Sequence, residues 1–293
     1  MPRMRTRFRL SLVTLLLLVG GSLSLVPAQS HLHPPQVTLP DDHKAVRFAV
    51  VGDTGTGGPQ QYEIGEQMAR AHRVFPFSIV LMLGDNLYGR KSAADYERKF
   101  EDPYKTLLDE GVKFYASLGN HDDPNERYYK PFHMNGRRYY TLQLGNAEFF
   151  ALDSTYVDPE QLDWITKELS SSNAAWKICF FHHPLYSAAH YHGPDVDLRK
   201  RLEPIFEKYD VNVVLSGHEH VYERIKPQHG IYYFVLGSAG QLRPHDLRPS
   251  PETAKGFDTD RTFMLMEISG GDLYFQTFSR TGATVDAGVI HRG

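Results

Sequence analysis

Two histidines stand two residues apart in Ser216-Gly217-His218-Glu219-His220, a short polar turn that ends the apolar run Val211–Leu215. On an extended segment such a pair points to one face. In a turn after a strand the two rings can spread to reach two neighbouring metal ions. A lone His-x-His favours a plainer reading, a hairpin corner with solvated rings. Here, however, four other polar clusters end four other apolar runs: Gly52-Asp53-Thr54-Gly55, Gly84-Asp85-Asn86-Leu87-Tyr88, Gly119-Asn120-His121-Asp122 and His182-His183-Pro184. Carboxylate, phenol, amide and imidazole groups delivered by five run ends describe one metal-binding site assembled from the whole chain.

The apolar runs are the strands that must deliver those groups. Ala45–Val51, Ser78–Leu83 and Phe114–Leu118 precede the first three clusters, and Trp176–Phe181 and Val211–Leu215 the last two. Tyr139–Leu144 and Ala147–Leu152 read as a hairpin across Gly145-Asn146, a two-residue turn of the right chemistry. Further strands are expected at Ile231–Leu236, Phe263–Ile268 and Leu273–Phe278, the last closing the set. Helices are expected between them. One begins at Pro59 with the stripe Ile64, Met68, Ala71 and Phe75, and another covers roughly Ala93–Leu108 with a break near Pro103. A third has Asp158 as N-cap, Pro159 at N1 and Gln161 at N3; a fourth carries Leu198, Leu202, Ile205 and Tyr209. Gln241–Arg261 is long, polar and Pro-containing, hence a surface loop or lid, and Tyr222-Glu223-Arg224 is expected to support the His-x-His loop. Early alternation with later hairpins implies an α/β domain with mixed sheets, helices outside and function at strand ends.

The loop Gly55-Thr56-Gly57-Gly58 raises a rival reading as a dinucleotide fold. It fails because no third glycine follows at the required spacing and no Gly-Lys-Ser/Thr is present. Its glycines instead let the backbone turn tightly beside Asp53.

Residues 1–28 stand apart. Arg3, Arg5, Arg7 and Arg9 precede an apolar segment from Leu10 to Val26, and Val26-Pro27-Ala28 offers small residues for cleavage. The run approaches the length of a membrane span, but Gly20, Gly21, Ser22 and Ser24 weaken it as an anchor, so a signal peptide and a secreted or periplasmic product are expected. Its loss removes four arginines and no acids, moving the formal charge from 32 − 35 = −3 to 28 − 35 = −7. A mildly acidic chain with no basic tract is a poor nucleic-acid binder. Cys179, the single cysteine, excludes an intramolecular disulfide and sits in an apolar run as a buried small residue. Residues 29–43, with His31 and His33, read as a loose solvated leader, and one domain spans about 44–290. Nothing in the sequence sets an oligomeric state.

The ordered set GDTG, GDNLY, GNHD, HHP and GHEH resembles the calcineurin-like metallophosphoesterases, and the tyrosine of GDNLY resembles their purple (tartrate-resistant) acid phosphatase branch. The motifs run from Asp53 to His220, and no ligand position of the pattern is missing. The resemblance implies a sandwich of two mixed β-sheets flanked by helices, with a two-metal site at the strand ends. It implies that Asp53, Asp85, Tyr88 and His220 bind one ion, and that Asp85, Asn120, His182 and His218 bind the other, Asp85 bridging. Two cations about 3.5–4 Å apart neutralise the charge that protects a phosphate ester and make hydroxide available near neutral pH for in-line attack. The first set, rich in anionic oxygen, suits ferric iron; the second suits divalent iron, zinc or manganese.

As a bare residue Tyr88 is one of 17 tyrosines and could be a packed aromatic; its place three residues after Asp85 favours a ligand. His121 should face the substrate, binding a phosphate oxygen or protonating the leaving alkoxide. Asp122 would orient the His121 ring or lie on the surface, and His183 is read as a non-ligand neighbour. His192-Gly193-Pro194 resembles a substrate-facing histidine of the acid phosphatases, with His190 close enough to compete. The expected function is a secreted binuclear acid phosphatase acting on small-molecule phosphomonoesters. The alternatives are a phosphodiesterase or nucleotidase with the same metals, and a non-catalytic metal-binding protein, against which His121 and the histidines at 190–192 argue.

Overall fold

Val46–Val51 is buried at all six positions, as a strand covered on both faces requires. The structure, a computed structural model, describes Pro2 and residues 32–292. In chain order it begins β1 (Val46–Val51), α1 (Pro59–Val74), β2 (Ile79–Leu83), α2 (Ala93–Tyr96), α3 (Lys105–Asp109) and β3 (Lys113–Ser117). The hairpin β4 (Tyr140–Leu144) and β5 (Ala147–Ala151) follows, then α4 (Pro159–Ser171), β6 (Trp176–Phe181), α5 (Val196–Lys208) and β7 (Val213–Ser216). The remainder is strand: β8 (Tyr222–Ile225), β9 (Tyr232–Leu236), β10 (Thr253–Phe257), β11 (Thr262–Ser269), β12 (Asp272–Ser279) and β13 (Thr284–His291).

These strands form two mixed sheets, ordered β13-β12-β11-β1-β2-β3 and β10-β8-β9-β7-β6-β5-β4. β1, β2 and β3 are parallel in the first, and β5, β6, β7 and β9 in the second. Parallel neighbours need long crossovers, which helices supply except between β7 and β9, where β8 intervenes. Strands that run the same way end at the same edge, so the loops after β1, β2 and β3 open together, as do those after β6 and β7.

The sheets meet face to face. Phe48 of β1 touches Phe149 of β5 edge-on with ring centroids 5.0 Å apart, and Phe234 of β9 meets Phe275 of β12 at 5.1 Å. Alternation then sends Phe150, Cys179 and Phe181 to the outer face, against Ile165 and Leu169 of α4 and Phe206 of α5. Cys179 is buried and free, as expected. Asp158 caps α4 by accepting the Gln161 N–H at 2.8 Å, with Pro159 opening the helix. The hairpin turns at Gly145-Asn146 with Leu144 paired to Ala147.

One expectation lies outside the described residues, and several others are corrected. The signal segment at 1–28 falls, Pro2 apart, outside the described residues. Among the described residues no helix is long and apolar enough to cross a membrane. The leader at 29–43 is not loose where it is described. Thr38 donates its N–H to Gln276 Oε1 at 2.8 Å, Asp41 and Asp42 donate theirs to the Glu267 carboxylate at 3.1 Å, and Val37 and Leu39 pack on the core. The stretch 241–261 is not all loop, because β10 pairs there with β8, the strand that contains Tyr222-Glu223-Arg224. Leu273–Phe278 does not close the set, since β13 adds an outer strand. β10 and β13 are edge strands, which need no continuous apolar face and so leave a weak pattern.

Candidate metal centre

The turns after the strands are held in unusual backbone. Asp53, Asp85 and His218 have φ of 54°, 50° and 69°, the left-handed region that non-glycine residues seldom occupy. Such strain persists where surroundings over-determine it. Here the first two loops are zipped together: Asp53 donates its N–H to the Gly84 carbonyl at 3.0 Å and Tyr88 donates to Gly55 O at 2.9 Å. A Cβ on Gly55 would lie 2.0 Å from Asn86 O, and one on Gly119 would lie 2.3 Å from both the nitrogen and Oδ1 of Asp85. Only glycine allows that approach.

Two groups of donors result. Asp53, Asp85 and His220 offer atoms all within 4.8 Å of one another. The Tyr88 hydroxyl joins them, 3.1 Å from Asp53 Oδ1 and 3.2 Å from His220 Nε2. In the second group His182 Nε2 lies 2.9 Å from Asn120 Oδ1 and 3.1 Å from His218 Nδ1. Asp85 stands between the groups, its Oδ1 3.5 Å from His182 Nε2 and accepting the His121 N–H at 2.9 Å. All seven sequence-proposed ligand residues thus converge.

The residues fit a metal pair. His182 Nδ1 sits 2.9 Å from the Leu83 carbonyl, which can only accept, so the proton is on Nδ1 and Nε2 is a bare lone pair. That lone pair faces the Asn120 carbonyl oxygen, another acceptor. A cation is the natural partner for both. Burial holds the rings neutral: His182 is pushed well below the ordinary imidazole range, His218 down to about 2 with help from neighbouring imidazoles, and His220 to about 4 with help from Arg243. Asp53 is pushed well above its usual range by burial and then by the Asp85 charge, and burial raises the Tyr88 phenol likewise. Acids that resist ionisation beside neutral imidazoles are what a desolvated metal site presents when protons stand in for cations.

Around the groups, His192 lies on His218 with ring centroids 4.3 Å apart and planes at 34°, and His121 lies 5.0 Å from Tyr88. His190 instead joins the loop framework, donating its N–H to Asp246 O at 3.0 Å. Asp122 departs from both of its expected places. Its carboxylate is buried, accepting from Asn86 Nδ2 and Gly119 N at 2.8 Å and from Leu87 N at 3.1 Å, and among the described contacts it makes no hydrogen bond to the His121 ring. It therefore ties the second and third loops together. His183, read as a mere neighbour, brings a ring nitrogen within 4.8 Å of those of His182 and His218; its Nδ1 is 3.0 Å from Ser154 Oγ. Sequence reasoning also passed over Glu219 and Arg243. Glu219 is fully buried, its carboxyl raised to about 7 by burial, and its nearest guanidinium nitrogen, Arg243 Nη1, is 3.9 Å away. The only signal for Glu219 was its place between the two histidines; Arg243 lay in a segment read as loop.

The family model for calcineurin-like phosphoesterase matches residues 46–222, more than half of the 293 residues and every candidate ligand. The chain belongs to the calcineurin-like phosphoesterases. It is 26% identical to rat tartrate-resistant acid phosphatase type 5 over 287 residues, covering 83% of this chain and 85% of that one. It is 28% identical to purple acid phosphatase 4 of Arabidopsis thaliana over 303 aligned residues, covering 90% and 89%. Among solved structures, the purple acid phosphatase PPD1 from yellow lupin seeds superposes with a TM-score of 0.70 at 19% identity, over 89% of this chain and 55% of that one. The expected family and two-sheet fold are borne out. As a calcineurin-like phosphoesterase whose relatives are acid phosphatases, the chain is a metal-dependent phosphoric ester hydrolase. Its substrates are phosphate esters.

Proposed function

We propose that this phosphoesterase is an exported acid phosphatase with two metal ions that hydrolyses phosphomonoesters. Asp53, Asp85, Tyr88 and His220 would hold ferric iron, and Asp85, Asn120, His182 and His218 a divalent iron, zinc or manganese. When bound, the pair supplies charge neutralisation for the phosphoryl oxygens and an acidified water for in-line attack. The chain's own residues do the rest. Asp85 Oδ1, by accepting the His121 N–H, fixes the backbone that presents the His121 ring beside Tyr88. His192, lying on His218, is placed to give a ring proton to the leaving oxygen. Burial of Asp53, Asp85 and His182 keeps competing water away from the ligand atoms.

The observation that carries this reading is the meeting of the acceptors His182 Nε2 and Asn120 Oδ1 with His218 Nδ1 beside the Asp85 carboxylate. Phosphate release by the metal-loaded protein tests it, with a phosphomonoester compared against the matching diester. Faster turnover of the monoester supports it, faster diester cleavage replaces it with a phosphodiesterase, and no release with both metals bound makes the chain a metal-binding protein. Export rests on Arg3–Arg9 and the apolar run after them. N-terminal sequencing of exported protein should begin near Gln29, and an intact Met1 on a membrane-bound product would overturn it.

A further inference from the structure

Arg243 stands beside the candidate centre. Its backbone N–H donates to His220 O at 3.0 Å, which places it directly beside a candidate ligand. Among the described residues the side chain makes no hydrogen bond, and Nη1 is buried with none. Balancing Glu219 is the plainer role, but at 3.9 Å that pair lies beyond hydrogen-bonding distance. The guanidinium is nevertheless held in place. Its carbon lies 3.6 Å from the ring centroid of Tyr191, itself 64% exposed. The two loops that carry this stack are clipped together by the His190 N–H to Asp246 O and the Arg248 N–H to Ala188 O, both 3.0 Å.

The order of the stack matters. Arg243 lies on Tyr191, Tyr191 meets His192 edge-on at 4.5 Å, and His192 lies on His218. Tyr191 and His192 thus line the side of the centre on which the guanidinium also stands, next to His220 and Glu219. With His192 as the proton donor proposed above, the alcohol portion of an ester would lie beside Tyr191 and Arg243. A partly buried guanidinium whose Nη1 makes no hydrogen bond and whose carboxylate neighbour Glu219 stays at 3.9 Å has room for a closer anion, and its planar fork suits a carboxylate or phosphate.

We propose that Arg243 is a specificity residue that pairs with an anionic oxygen on the alcohol portion of the substrate, so that preferred esters carry a carboxylate or second phosphate near the ester bond. This deepens the phosphatase reading above and rests on it. Two matched pairs of esters test it: phospholactate against isopropyl phosphate, which differ by one carboxylate, and ethylene glycol bisphosphate against ethylene glycol monophosphate. A charge-assisted pair predicts that kcat/KM of the wild type favours the anionic member of at least one pair by about 10–100-fold. The pair that shows the preference identifies carboxylate or phosphate as the partner.

Arg243→Gln should reduce the preference to within about 3-fold, and Arg243→Lys should keep part of it, because it retains the charge but not the fork. Calorimetric affinity of the metal-loaded Arg243→Gln protein for inorganic phosphate, which has no leaving group, should stay within about 3-fold of wild type. A wild type with no preference in either pair overturns the proposal. So does an equal loss on both members of a pair in Arg243→Gln, or a tenfold loss of phosphate affinity, which would put Arg243 on the phosphoryl group. Should Arg243→Gln not fold, the wild-type preference and the Arg243→Lys ratio still decide. Failure of the phosphatase reading looks different: no ester is turned over, nitrophenyl phosphate included.

Discussion

His182 Nδ1 donates to the Leu83 carbonyl across 2.9 Å, joining the end of β6 in one sheet to the end of β2 in the other. This bond joins the two sheets at the site together with the His218 N–H, which donates to Asp53 Oδ2 at 2.8 Å. It fixes the tautomer, so that Nε2 meets Asn120 and Asp85 as a lone pair, and it ties the imidazole to the strand whose next turn carries Asp85. A ring free to rotate would lose both.

Ligation by Tyr88 predicts a proton count as well as a visible band. Burial, followed by the Asp53 and Asp85 charges, raises its phenol, so the metal-free protein carries that proton at all working pH values. Ligation must expel it. Metal binding measured calorimetrically in two buffers of different ionisation enthalpy should therefore release about one proton fewer in Tyr88→Phe than in wild type. The visible band expected of a ferric phenolate should disappear in the same variant. Equal proton release, or a persistent band, would remove Tyr88 from the ligand set.

Acid should displace the metals late. The imidazoles are depressed below their ordinary 6.5, His220 to about 4 and His218 to about 2, so at pH 5 they remain mostly neutral and available. The sign for the metal-free fold follows. An unfolded histidine takes its proton first, so each ring withdraws stability as pH falls from about 6.5 toward its folded value. Metal content after dialysis should hold at pH 5 and fall near pH 3, with the metal-free melting temperature already declining between. Complete loss of metal at pH 5 would contradict the burial argument.

Asp122 is a structural tie. Asp122→Ala strands the N–H groups of Leu87 and Gly119 and leaves Asn86 Nδ2 with only its bond to the Ser117 carbonyl, and should cost about 2–4 kcal/mol in urea unfolding. The same change should weaken metal binding, because Tyr88 and Asn120 follow the two loops it joins. A surface carboxylate would cost nothing measurable.

What the sequence made legible was whatever obeys a local rule. Strand ends such as Leu83-Gly84-Asp85 show an apolar run stopping at a polar turn, and Asp158-Pro159 is a cap followed by N1. The edge strands at Thr253–Phe257 and Thr284–His291 obey none, because their partners, not their own apolar faces, hold them. Asp122 and Arg243 were misread or missed for a related reason. Their roles come from residues distant in the chain, Asn86 and Leu87 for one and Tyr191 for the other, which spacing does not encode. The docked leader is the same case, anchored by Gln276 and Glu267 more than 200 positions away.

The competition between His190 and His192 has a chemical test. A metal-activated water can attack phosphorus unaided, but an alkoxide leaves poorly without a proton, whereas a nitrophenolate leaves well. The structure lays His192 on His218 and gives the His190 backbone to Asp246, so His192 is the proposed donor. His192→Ala should slow an alkyl phosphate by about 10²–10⁴-fold and nitrophenyl phosphate much less, since that range is what general acid catalysis contributes. His190→Ala should alter neither substrate by more than about 3-fold, because the main-chain bond it makes does not need the ring. Metal content must match wild type in both proteins, as the His192 ring touches a candidate ligand. Equal losses on both substrates in His192→Ala would mean that the ring binds phosphate without donating a proton. A large alkyl-selective loss in His190→Ala with none in His192→Ala would transfer the role to the other histidine.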